Sequence, residues 1–110
     1  DINNIKKYQV TSNNDVSYAY IRLDNNLYTE GKFSTFEIRK VYEDEDYFIT
    51  YYFKEKNYIV VDKKLASMKI YNEKEFKEKY RDINDKKFVD IYNFLKRKGT
   101  KIGIYREVLL

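Results

Sequence analysis

The chain has no cysteine, histidine, tryptophan or proline, and only 3 glycines in 110 residues. Without cysteine it forms no disulfide and offers neither a thiol nucleophile nor a thiolate ligand. Without histidine it lacks the commonest general base and metal-binding side chain. These absences exclude most familiar catalytic and metal-binding arrangements. They favour a non-enzymatic protein that uses no cofactor and no metal.

The overall composition is that of a globular protein. Hydrophobic residues make up 43% and charged residues 36%, and no apolar run approaches the roughly 20 residues of a membrane-spanning helix. A chain of this length predicts a single domain over residues 1–110.

Residue usage and the first residue bear on the origin of the chain. Lysine, isoleucine, asparagine, tyrosine and phenylalanine supply more than half of the residues. Their codons are rich in A and T, so an A/T-rich genome of a bacterium or phage is expected. The chain begins at Asp1 without an apolar leader. Either a leader has been removed or the chain is part of a longer one, so secreted and intracellular locations both stay open.

The first two thirds of the chain alternate between apolar and polar residues with period two, which predicts β-strands. Clusters of turn-forming residues separate these stretches. The pattern predicts a mainly antiparallel meander of five to six strands at residues 6–11, 17–23, 27–42, 47–53, 58–62 and 67–71, with a bulge at Gly31.

The last third changes to a helical period. Asn72 and Glu75 form a capping-box pattern, which predicts a short helix over residues 73–81. Phe76 and Tyr80, four residues apart, would face the sheet together.

A second helix is predicted between a cap at Asn84 and an end at Gly99. Residues 101–110 alternate again and predict a closing C-terminal strand, so the fold class is α+β. The buried face of the second helix is predicted to hold Phe88, Ile91, Tyr92 and Leu95.

The segment Tyr47–Phe53 has five aromatic residues in seven positions. Four-residue turns would set Tyr42 opposite Tyr47, and Phe36 opposite Phe53. The odd positions of the segment then face the core, under the helices. The reverse face is either covered by a loop or the N-terminal hairpin, or offered to a partner. Its candidate contact residues are Glu37, Arg39, Phe48, Tyr52 and Ile59.

Charge is concentrated toward the C-terminus. Residues 86–106 contain seven basic side chains against Asp90 alone. Such a cluster could neutralise phosphates, or it could simply keep an exposed helix face solvated. The candidate nucleic-acid contacts are Lys96, Arg97, Lys98, Lys101 and Arg106.

Two groups of acidic residues are the remaining candidates for a functional site. The turn formed by Glu43, Asp44, Glu45 and Asp46 lacks the spacing of a calcium loop. It is expected to keep a hairpin tip hydrated or to present negative charge to a basic partner.

Asp62, Glu75 and Lys77 have a superficial likeness to the D…E-x-K pattern of metal-dependent nucleases. That pattern needs its E-x-K on a buried strand, whereas here a helix is predicted.

The leading hypothesis is therefore a non-enzymatic interaction module, such as a small secreted effector or phage-type inhibitor, that docks on a protein partner. Nucleic-acid binding through residues 86–106 is the second hypothesis, and a metal-dependent nuclease is the third.

Overall fold

The structure is a computed structural model. Its backbone is described for residues 3–13, 19–25, 33–65, 67–102 and 105–109, and its side chains for 37–65 and 67–99. The predicted bulge at Gly31 lies outside these ranges.

Ten strands and two α-helices lie within the described residues. In chain order they are β1 (Asn3–Asn13), β2 (Ala19–Asn25), β3 (Phe33–Ile38), β4 (Lys40–Glu43), β5 (Tyr47–Tyr52), β6 (Asn57–Asp62), β7 (Ser67–Asn72), α1 (Glu73–Lys79), β8 (Val89–Asp90), α2 (Ile91–Lys98), β9 (Thr100–Ile102) and β10 (Tyr105–Leu109).

The strands from β4 to β7 form an antiparallel meander in which each strand pairs with the next. β8 extends the meander beyond β4, and the first residues of β1 pair with β7 on the other side. β1 then pairs with both β2 and β10, while β3 pairs with β2 and β9 with β10. The predicted α+β arrangement, an antiparallel sheet followed by two helices, is confirmed.

The predicted long strand 27–42 is interrupted at Arg39, which separates β3 from β4. The Arg39 carbonyl accepts a 2.8 Å hydrogen bond from the backbone N–H of Ile91, so the start of α2 holds the bend. β3 pairs with β2, and Phe36 therefore lies opposite Ile21. The predicted pairing of Phe36 with Phe53 was wrong because the strand changes partner at this bend.

The registers around β5 differ from prediction by two positions. Tyr42 lies opposite Ile49 and not Tyr47, and the β5–β6 register is shifted by the same amount. One carboxylate oxygen of Asp44 shapes the first turn by accepting the backbone N–H groups of Asp46 and Tyr47, each at 2.8 Å. A two-residue shift keeps each side chain on its predicted face because side chains alternate with period two.

The first helix begins as predicted. The Asn72 side chain accepts the backbone N–H of Glu75 at 2.8 Å, and the Glu75 carboxylate accepts that of Asn72 at 3.1 Å. Phe76 and Tyr80 pack against each other with ring centroids 5.2 Å apart. The predicted capping box and the predicted aromatic pair are both confirmed.

The second helix begins later than predicted. Asp90 is its N-cap, whereas Asn84 caps a separate 3-10 turn over Asp85–Lys87. Gly99 ends α2 as predicted, with its N–H donating to the Leu95 carbonyl. Among the described residues, no helix is long and apolar enough to cross a membrane.

The two helices lie on opposite faces of the meander. On one face α2 packs Ile91, Phe94 and Leu95 into a cluster with Ile38, Val41, Phe48, Ile59, Val61 and Met68. On the other face α1 contributes Phe76 to a cluster with Ile49, Tyr58, Val60 and Tyr71. Of the predicted α2 stripe, Phe88 joins the α1 face and Tyr92 is 41% exposed.

Thr50 gives a test of packing on the α2 face. It is fully buried, and its hydroxyl has no hydrogen-bond partner among the described residues. Because burying an unpaired hydroxyl is unfavourable, Thr50→Val should raise the free energy of unfolding by up to about 1 kcal/mol, measured by urea denaturation.

Thr50→Ser is the matched control, since it keeps the hydroxyl and removes the methyl group. It should lower the free energy of unfolding by about 1 kcal/mol. Destabilisation by the valine variant would show that the hydroxyl has a partner.

Candidate functional site

The predicted docking face is largely covered by α2. Phe48 and Ile59 are both 0% exposed, so a partner reaches neither without displacing the helix. In the structure, the side chains that cover Phe48 and Ile59 include Ile91, Phe94 and Leu95 of α2, and contact of these two residues with a partner stays a prediction. Tyr52 and Glu37 are half-buried and Arg39 is exposed, with its guanidinium 4.0 Å from the ring centroid of Phe53.

The first residue of the acidic tip, Glu43, is engaged inside the fold. Its carboxylate accepts a 2.7 Å hydrogen bond from Lys63 Nζ and a second one from Lys98 Nζ. Burial alone would raise the pKa of Glu43, but the two ammonium groups outweigh it and hold the pKa below its ordinary value. Glu43 therefore joins the end of β4 to the turn after β6 and to the end of α2.

The other tip carboxylates divide into paired and exposed groups. Asp44 supports the turn and accepts the Tyr42 hydroxyl at 2.7 Å, while Asp46 forms a 2.9 Å ion pair with Lys64. Glu45 is exposed. Within residues 37–65 and 67–99, no group of three or more metal-ligating side chains could hold an ion.

The residues of the nuclease-like pattern serve local structure. One Asp62 oxygen accepts the backbone N–H groups of Lys64 and Leu65, each at 3.0 Å. Glu75 closes the capping box of α1, so it lies on a helix and not on the buried strand that the nuclease pattern requires.

The connection between the helices passes around the β4 edge of the meander. Phe88 packs in the α1-side cluster and the next residue, Val89, in the α2-side cluster. Val89 also pairs with Val41 as part of β8. The chain therefore crosses from one face of the sheet to the other at this point, with the 3-10 turn just before the crossing.

A cavity of about 510 Å³ lies on the α1 side of this turn, and we call it the α1 cavity. Its apolar lining consists of Tyr58, Phe76, Tyr80 and Ile83. Tyr58 and Phe76 stack with centroids 4.0 Å apart and planes at 8°. The polar lining is Lys77, Arg81, Asn84, Asp85 and Lys86.

The one carboxylate of the α1 cavity is paired. Asp85 Oδ1 accepts hydrogen bonds from Lys40 Nζ at 3.1 Å and from the Tyr58 hydroxyl at 3.2 Å. The Lys40 bond and charge lower the pKa of Asp85, while burial and the neighbouring carboxylate raise the pKa of Tyr58. At neutral pH the carboxylate is therefore ionised and the phenol protonated.

A second cavity, of about 300 Å³, lies on the α2 side and is called here the α2 cavity. Lys87, Arg97 and Lys98 supply its positive charges, and Glu43 its one negative charge. Each cavity thus has three cationic side chains and one paired carboxylate. We call the six cations the basic edge: Lys77, Arg81, Lys86, Lys87, Arg97 and Lys98.

The predicted nucleic-acid contacts lie in different parts of the structure. Arg97 and Lys98 line the α2 cavity, whereas Lys96 lies 5.0 Å from the ring centroid of the exposed Tyr92. Lys101 lies in β9 and Arg106 in β10, and both side chains are outside the described residues.

The contribution of α1 and of the turn after it to the basic edge was missed in the sequence analysis. Lys77 and Arg81 precede the basic segment 86–106, so a count of charge along the chain separates them from it. Their spacing of four residues, next to the buried Phe76 and the half-buried Tyr80, was the available signal.

We expect the acid stability of the fold to depend on Glu43. Its pKa in the folded protein lies below the ordinary value of 4.5, so the ionised form contributes stability above that pH, and the contribution is lost as the pH falls through the folded pKa. In urea unfolding at pH 7, the free energy of unfolding of Glu43→Gln should be about 1 kcal/mol lower than that of the parent. As the pH falls, this free energy should decrease less steeply in the variant than in the parent.

Glu45→Gln is the control, since Glu45 is an exposed carboxylate of the same turn. Its free energy of unfolding should match that of the parent from neutral to acid pH. Equal losses in the two variants would mean that the Lys63 and Lys98 pairs contribute nothing.

Comparisons of the chain with protein-family models, curated proteins and solved structures give no match. The function is therefore inferred from the geometry of the site.

Proposed function

We propose that this protein is a non-enzymatic binding module that holds single-stranded nucleic acid along its basic edge. The observation that carries the proposal is that six cationic side chains line two cavities, one on each side of the turn between the helices. Cations that neutralise phosphates release condensed counterions, which is the main source of affinity for a nucleic-acid backbone.

The carboxylates beside these cations offset only part of the positive charge. Glu43 is paired with Lys98, one of the six, and also with Lys63, while Asp85 is paired with Lys40. Within the described residues, Lys87 and Arg97 form no ion pair, so their charges are available to phosphates. Both side chains are exposed.

A single strand suits this surface better than a duplex does. The α1 cavity, of about 510 Å³, lies within the range of small-ligand pockets, about 300–1,000 Å³. The α2 cavity, of about 300 Å³, lies at the lower limit of that range. A duplex keeps its bases stacked and presents mainly its backbone. A single strand can place bases and phosphates in separate recesses.

The double variant Lys87→Glu and Arg97→Glu tests the basic edge. In fluorescence anisotropy with a labelled single-stranded oligonucleotide, it should weaken binding at least about tenfold at low salt. Losing two phosphate contacts should also reduce the slope of log K against log salt by about 1.4.

A Lys54→Glu, Lys56→Glu variant is the matched control, because it changes the same charge in the exposed turn at the other end of β5. It should bind within about twofold of the parent in the same assay. Similar weakening in both variants would mean that net charge, and not the basic edge, governs binding. No binding by the parent at low salt would overturn the proposal.

Docking on a protein partner is the second candidate function, as for a small effector or inhibitor. It is favoured by Tyr92, which is 41% exposed on α2 with the Lys96 ammonium 5.0 Å from its ring centroid. Tyrosine and cationic side chains are common at the centres of interfaces.

If Tyr92 contacts a protein partner, Tyr92→Ala should reduce affinity capture of that partner by tenfold or more. Tyr92→Phe should retain capture, and oligonucleotide affinity should be unchanged in both variants. Full capture by the alanine variant would exclude this surface.

A further inference from the structure

The α1 cavity combines features that backbone binding alone does not require. Four of its lining residues are apolar or aromatic: Tyr58, Phe76, Tyr80 and Ile83. A site for phosphate groups needs only cations and hydrogen-bond donors. An apolar floor is instead suited to the flat face or edge of a ring.

Two residues of the floor, Tyr58 and Phe76, are packed into the α1-side cluster. Tyr58 and Phe76 are each only 2% exposed, and Phe88 meets both rings, at centroid distances of 5.9 and 6.4 Å. Lys40 lies over the Tyr58 ring and is bonded to Asp85. A recess built from such packed rings keeps its shape without a ligand, which lowers the entropic cost of filling it.

The rim of the cavity offers both hydrogen bonds and positive charge. Asp85 uses Oδ1 for its bonds to Lys40 and Tyr58. Among the described residues its Oδ2 accepts no hydrogen bond. A carboxylate oxygen of this kind accepts hydrogen bonds from the amino and imino groups of nucleobases. Lys77, Arg81 and Lys86 lie around the same opening.

The 3-10 turn connects this cavity to the other one. Lys86 lines the α1 cavity and Lys87 the α2 cavity, and consecutive Cα atoms are 3.8 Å apart. A strand whose phosphates contact both Lys86 and Lys87 would therefore pass around the sheet edge at this turn.

We propose that the α1 cavity receives one unpaired base of the bound strand, while the adjoining phosphates lie on the basic edge. This inference rests on the proposed function and adds to it a preference for nucleic acid with accessible bases. The base would contact the ring of Tyr80 and the side chain of Ile83, and its polar edge would meet Asp85.

The test compares two labelled oligonucleotides of about twelve nucleotides, within the usual range for such sites. One is intact single-stranded DNA, and the other has the same number of phosphates but abasic sugars throughout. The intact strand should bind about tenfold or more tightly, since base contacts with aromatic side chains add to the backbone attraction. Equal affinities would overturn the inference and leave the proposed function standing, whereas no binding of either strand would overturn both.

The variant Ile83→Trp tests whether the base binds in the α1 cavity, because the indole would occupy the part of the cavity beside Ile83 where the base is proposed to lie. It should lower the affinity for the intact strand to that of the abasic strand and leave the abasic affinity unchanged. Far-ultraviolet circular dichroism establishes that the variant is folded. A folded variant that keeps the full preference would overturn the assignment to this cavity.

If Ile83→Trp does not fold, photocrosslinking of the parent protein tests whether a base binds in the α1 cavity. The probe is the same strand with 4-thiothymine at every position. A crosslink within residues 76–86, mapped by mass spectrometry, supports the inference. Crosslinks confined to other segments overturn it.

Discussion

The structure depends on a central strand that is apolar on both faces. In β5, Phe48 and Thr50 face α2 while Ile49 faces α1, and all three are fully buried. A strand with two apolar faces must be covered twice, because either face left in water would forgo its hydrophobic stabilisation. The last third of the chain supplies both covers, α1 for one face and α2 for the other.

Covering both faces determines the path of the chain, and that path assembles the candidate site. Since α1 and α2 lie on opposite sides, the segment between them must pass around an edge of the sheet, and it does so beside β4. Lys86 and Lys87 are carried to this edge, one toward each cavity. The basic edge is thus a consequence of the way the core is closed.

The acidic residues Glu43 and Asp85 at this edge are engaged by side chains of the protein itself. Glu43 receives hydrogen bonds from the ends of two other elements, and Asp85 holds Lys40 and Tyr58 against the aromatic cluster. These pairs involve Lys40, Lys63 and Lys98. The other cations of the basic edge are not part of them. The excess of positive charge is what a polyanionic ligand would meet.

Local patterns in the sequence predicted the meander strands, the first helix and the faces of β5 correctly. The period-two alternation and the capping box of Asn72 and Glu75 depend only on neighbouring residues. The sequence failed for the second helix, since it put Phe88 and Tyr92 on the buried face of that helix. It could not determine that Arg39 would bend a strand or which helix would cover Phe48, because those outcomes depend on contacts between distant segments. Tertiary structure alone brought Lys77 and Arg81 beside Lys86, since charges far apart in the chain become neighbours only when the chain wraps around the sheet edge.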